Sequence, residues 1–123
     1  MMNSNNDTNG NRVFFLEPVK QEVSDAEEFG KIVYLYEYQE ARANVFTNKF
    51  QQELKERIIQ KNFNPELDYL ALTGYQVNIA VAVHILTKMF EEFSVIAYHV
   101  PSRSYSEIIF NNHDNNPEQD QDE

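Results

Sequence analysis

An α/β fold, with a small mixed and partly parallel sheet of about five strands and two main helices, is predicted by three features of this 123-residue chain. Residues Asp68 to Phe90 read as a short apolar strand, a Thr73-Gly74 break and then a long apolar helix. A strand that turns through glycine into a helix is how parallel strands are connected. Elsewhere, short runs rich in β-branched and aromatic residues lie on either side of an amphipathic helix, and two such runs close the chain around a turn. The predicted order is β-β-α-β-α-β-β, ending in a β-hairpin.

The elements follow in turn. Val13-Phe14-Phe15-Leu16 is a compact apolar run closed by Pro18, hence a strand. Asp25 to Gly30 has the form of one helical turn, with Ser24 as N-cap, Glu27 completing a capping box and Gly30 as the stop. Ile32 to Tyr36 is a second strand. The first long helix starts after Thr47 as N-cap, and Phe50, Leu54 and Ile58 recur at the helical period while Lys49, Glu53, Glu56, Arg57 and Lys61 occupy other faces. Pro65 disfavours helix at Asn64, so NFNPE ends it.

Tyr69 to Leu72 is the third strand, and Gln76 to about Phe90 the second helix. That helix has almost no polar face, which predicts burial on most sides, in a three-layer fold or against a second subunit. Ser94 to Val100 and Tyr105 to Phe110 are the hairpin strands, with Pro101 to Ser104 as the turn.

Composition divides the chain into one domain and two ends. Residues 1–11 lack apolar residues apart from two methionines, and residues 111–123 lack them altogether, so both ends are expected to be disordered around a single domain at 12–110. The net charge is −10. Five acids and no base lie in residues 111–123, whereas 12–110 holds ten bases against fourteen acids, a balance of −4. With no basic stripe, direct nucleic-acid binding is disfavoured. The absence of cysteine removes disulfides, thiolate metal sites and a cysteine nucleophile. No basic n-region opens the chain, and the longest apolar run is too short to span a bilayer, so the expectation is a cytoplasmic chain without a membrane partner.

The leading candidate site is Thr73-Gly74-Tyr75-Gln76, with Asn78 nearby. Amides at a helix start, together with the Thr73 hydroxyl, could hold a phosphate or carboxylate; alternatively Gly74 only permits the turn and Thr73 caps the helix. The spacing is not that of a Walker loop or a dinucleotide fingerprint. His84 and Lys88, one turn apart, are a candidate interface or proton-transfer pair, or else the wet edge of the helix. Tyr34, Tyr36 and Tyr38 alternate, so they would line one face of the second strand as an interface if that face is open, or as core if it is covered. No Gly-x-Ser-x-Gly elbow is present, and Glu27-Glu28 and Glu91-Glu92 are adjacent on helix ends and cannot face each other. No acidic partner accompanies His99 or His113. Neither a catalytic constellation, a metal site nor a cofactor is predicted.

The segment Asp68 to Gly74, the helix after it and the Tyr98 and Tyr105 hairpin, with Val13 to Pro18 and Asp25 to Tyr36 as the opening, resemble small uncharacterised α/β proteins encoded by phages and plasmids. The resemblance implies a viral or mobile-element origin, hence the host cytoplasm, and brings no catalytic residue with it. Three functions are weighed: a non-catalytic accessory protein acting by protein–protein contact as a homodimer or with another partner; a binder or processor of a small phosphorylated ligand, of nucleotide type, at Thr73 to Asn78; and an acidic mimic of DNA. The last needs acids spread over the fold, yet half of the net charge lies in the end segment.

Overall fold

The structure, a computed structural model, describes residues 11–19, 23–37 and 48–111. Its elements are strand β1 (Arg12–Phe15), a 3₁₀ helix (Ser24–Glu28), strand β2 (Lys31–Tyr34), helix α1 (Asn48–Gln60), strand β3 (Tyr69–Ala71), helix α2 (Gln76–Met89) and strands β4 (Glu92–His99) and β5 (Ser104–Asn111). They form one five-stranded sheet in the order β2-β1-β3-β4-β5. β1 is parallel to both β2 and β3, β3 is parallel to β4, and β5 returns antiparallel to β4. The predicted fold class is the observed one.

The continuous apolar run of β1 has a simple cause. The strand has neighbours on both edges and is covered on both faces, so Val13, Phe14, Phe15 and Leu16 are all buried and strict alternation is lost. On one face, Phe14, Leu16, Leu70, Phe93 and Val95 meet Phe50, Leu54 and Ile58 of α1 and Ala82, Ile85 and Leu86 of α2. On the other, Val13, Phe15, Ala71, Ile96 and Tyr105 meet Val23, Ala26 and Phe29 around the 3₁₀ helix. Each large apolar side chain fully buried in these layers contributes about 1.5–3 kcal/mol against leaving it in water.

Several local expectations are corrected. The 3₁₀ helix has Val23, not Ser24, at its N-cap and no side-chain cap, so the Ser24–Glu27 capping box does not form. α1 ends before Pro65 acts. Asn62 takes a left-handed conformation, φ 59°; its N–H donates to Ile59 O and the N–H of Phe63 to Ile58 O. This is the glycine-free form of the Schellman stop, with Phe63 packed in the same core as Ile58. α2 is not buried on most sides. Asn78, Ala82, Ile85 and Leu86 face the sheet, whereas Gln76, Ala80, His84 and Lys88 form an exposed row at i+4 spacing.

Thr47, Tyr38 and His113 lie outside the described residues, as do the expected end segments except for Asn11 and Asn111. Asn11 O accepts from Lys31 N at 3.0 Å, and Asn111 is the last residue of β5. Among the described residues no helix is long and apolar enough to cross a membrane.

Candidate functional site

The strand order reverses between β1 and β3, because the chain leaves β1 towards β2 on one side and later builds β3, β4 and β5 on the other. In sheets of this kind the carboxyl ends of the strands diverge at that point and leave a crevice. Thr73 to Asn78 lies at this edge, between the end of β3 and the first turn of α2. Gly74 has φ +132°, and a Cβ added there would meet nothing within 4 Å, so the turn faces open space.

α2 starts with Tyr75 at its N-cap, without a side-chain cap and without an acidic residue in its first turn. The first N–H groups of a helix have no intrahelical acceptor, and the dipole there is positive. Thr73 does not supply the cap. Its side chain is buried and hydrogen-bonds with the phenol of Tyr105 in β5. Burial pushes the Tyr105 phenol above the ordinary tyrosine value of 10.0; the bond to Thr73 opposes this, and the neighbouring Tyr98, Asp25 and Tyr34 add to it. The Tyr98 and Tyr105 rings meet edge to face at 5.1 Å.

Asn78 is the unusual member. It is 0 % exposed, and neither Oδ1 nor Nδ2 has a hydrogen-bond partner. It sits in the first turn on the sheet-facing row of α2. Helix side chains lean towards the N-terminus, so its amide leans back towards the crevice edge. A buried amide without a partner costs about 1–3 kcal/mol, and such exceptions in folded proteins call for a cause. Sequence reasoning named Asn78 only as a neighbour of the turn; burial of one asparagine in an apolar helix is the signal that could have singled it out.

The remaining candidates are dispersed. β2 ends at Tyr34, so the alternation expected to run on through Tyr36 stops, and Tyr38 lies outside the described residues. Tyr34 is 38 % exposed and packs on Phe15 at 5.9 Å on the 3₁₀ face. Tyr36 turns to the helix face, stacks on Phe50 at 5.7 Å and lies 4.0 Å beneath the Arg57 guanidinium. Arg57 also donates to Leu35 O at 2.7 Å. Thus Tyr34 and Tyr36 do not form one row, and Tyr36 is core. His84 and Lys88 lie on the exposed row of α2, away from Thr73 to Asn78 along the helix. His99 Nδ1 meets Ser102 Oγ at 2.9 Å in the hairpin turn. Among the described residues no group of three His, Cys, Asp or Glu could hold a metal ion.

One surface was not singled out from sequence. β5 pairs with β4 over eight consecutive positions without a bulge, and among the described residues it has no strand on its other side. Ser106, Glu107, Ile108 and Ile109 are exposed, with Ile108 at 42 % and Ile109 at 55 %. The signal was present in SYSEIIFN: eight residues with one charge, no proline and no lysine.

The family model described as phage Pam3 gp32-like protein matches residues 14–112. No curated protein and no solved structure matches the chain. The chain belongs to the phage Pam3 gp32-like family.

Proposed function

We propose that this phage Pam3 gp32-like protein is a non-catalytic accessory protein of the infecting phage, working in the host cytoplasm by contact with another polypeptide. The observation that carries the reading is the edge of β5, which has no neighbouring strand on its outer side among the described residues. An edge strand presents a row of unpaired backbone donors and acceptors, and monomeric proteins blunt such an edge with short strands, lysines, prolines or bulges. β5 is eight residues long and has none of the last three. A partner that adds a strand would gain backbone hydrogen bonds together with contacts to Ile108 and Ile109.

Affinity capture from infected host cells, using wild-type chain and the Ile108→Lys/Ile109→Lys variant, tests this. The expected result is a polypeptide held by the wild type, identified by mass spectrometry, and absent with the variant. Equal capture by both removes the reading.

A second reading is favoured by one observation, the unpaired amide of Asn78 beneath an uncapped helix start. On this reading the edge at Thr73 to Asn78 holds a small phosphorylated ligand. The phosphate would sit on the first-turn N–H groups of α2, above Gly74, and Asn78 would supply a donor once its cover moves. Thermal unfolding against a nucleotide panel tests it. A ligand at a hundredfold its dissociation constant adds about 2.7 kcal/mol, and a shift that survives Gly74→Val would place the ligand elsewhere.

A further inference from the structure

We propose that the polypeptide seated on β5 is a second copy of this chain, paired antiparallel about a two-fold axis at Ile109, so that two five-stranded sheets become one of ten. The inference rests on the reading that β5 is a docking edge, and it names the partner and the register.

Among the described residues no strand covers this edge, and Ser106 to Ile109 are exposed. Self-pairing is the simplest way to satisfy such an edge, because one symmetric contact closes both strands and leaves no further copy to add. The register follows from side-chain direction. An axis perpendicular to the sheet relates antiparallel copies and keeps the two helix faces on the same side, so residues opposite each other must share a face.

Phe110 lies opposite Phe93 and Ile108 opposite Val95, on the helix face. Tyr105, Glu107, Ile109 and Asn111 therefore share the 3₁₀ face. An axis at Glu107 would set two carboxylates directly against each other, which is unfavourable. An axis at Ile108 would set Glu107 against Ile109. An axis at Ile109 sets Ile109 on Ile109, Ile108 on Phe110 and Glu107 on Asn111: apolar on apolar, and an amide on a carboxylate. Of the three, only the last leaves no mismatch.

Sedimentation or light scattering of the full chain tests this directly. Wild type should be a dimer. Its β5 amides should gain protection from hydrogen exchange as protein concentration rises, a readout that needs no variant. Ile109→Lys and Ile109→Glu should each be monomeric, because like charges meet at the axis. Mixed together they should form a heterodimer whose dissociation constant is about tenfold or more lower than that of either variant alone.

A monomeric wild type whose β5 exchange does not depend on concentration overturns the inference. So does an Ile109→Lys variant that remains dimeric, since an axis at Ile108 would place that lysine against Glu107. A monomeric wild type that still captures a different polypeptide through β5 would sink the self-pairing alone and leave the docking edge intact.

Discussion

Asp68, 3 % exposed, binds Arg12 through both carboxylate oxygens: Oδ1 accepts from the Arg12 backbone N–H at 3.1 Å and from Nε at 3.3 Å, and Oδ2 from the guanidinium at 2.8 Å. Oδ2 also accepts from Asn64 N at 2.7 Å. The other guanidinium bonds reach Lys61 O at 2.8 Å and Asn62 O at 2.7 Å. The pair therefore ties the start of β1 to the loop entering β3 and closes the end of α1. Substituting Asp68 with alanine strands two backbone donors and a guanidinium that water still reaches, because Arg12 is 31 % exposed. The expected loss is about 2–3 kcal/mol, measured by urea unfolding. Arg12→Lys should lose roughly half as much, because a lysine keeps the charge but cannot span the carboxylate and two carbonyls.

Among the described residues, the two glycines with positive φ should respond differently to alanine. At Gly30, φ +154°, an added Cβ would collide with the backbone of Asn11 and Arg12, where Asn11 O receives the Lys31 N–H that starts the β1–β2 pairing. Backbone cannot move aside cheaply there. At Gly74, φ +132°, the space is open and only the backbone preference opposes the change. Gly74→Ala is expected to cost about 1 kcal/mol and Gly30→Ala clearly more. Equal midpoints for the two variants in denaturant would contradict this account.

How much of this was legible in the sequence depends on the distance over which each feature is decided. The strands and helices were readable because their patterns are local: Phe50, Leu54 and Ile58 repeat at a helical period, and Val13 to Leu16 is apolar throughout because β1 has neighbours on both sides. Features decided by partners far along the chain were not readable. The Thr73 hydroxyl had a local role on offer as a helix cap, yet Tyr105, thirty-two positions later, takes it instead. Arg12 and Asp68 are fifty-six residues apart, and no periodicity announces such a pair. The expected alignment of Tyr34 with Tyr36 failed for another reason. Alternation has meaning only while the strand lasts, and β2 stops at Tyr34.

Alkaline pH should weaken the fold through its tyrosines. Burial raises the Tyr105 phenol above 10.0, and burial together with the charge of Glu107 raises Tyr69, against a bond from Asn11 that lowers it. Above pH 10 the unfolded chain gives up phenol protons that the folded chain keeps. The unfolded state then binds fewer protons, and stability falls as pH rises. This contribution is complete below about pH 10 and is lost as pH climbs through the raised values. Tyr105→Phe should flatten the alkaline part of a stability–pH curve. It should also cost about 1 kcal/mol at neutral pH by leaving the Thr73 hydroxyl without its partner.

Asn78 separates stability from binding. Its side chain is fully buried, its oxygen and nitrogen both lack partners, and Ala82, Ile85 and Leu86 continue the same row in apolar form. Leucine has the same number and branching of side-chain heavy atoms as asparagine, with bulkier ends, and needs no hydrogen bond, so Asn78→Leu removes the desolvation cost without opening a cavity. The variant should be more stable by about 1 kcal/mol, a rise of roughly 4–8 °C in Tm for a domain of this length. A destabilised variant would mean that the amide has a partner in solution, and the case for a ligand at this edge would weaken with it. A variant that is more stable, yet no longer stabilised by the nucleotide that shifts the wild type, would show that an unfavourable residue is kept where a phosphate-bearing ligand meets α2.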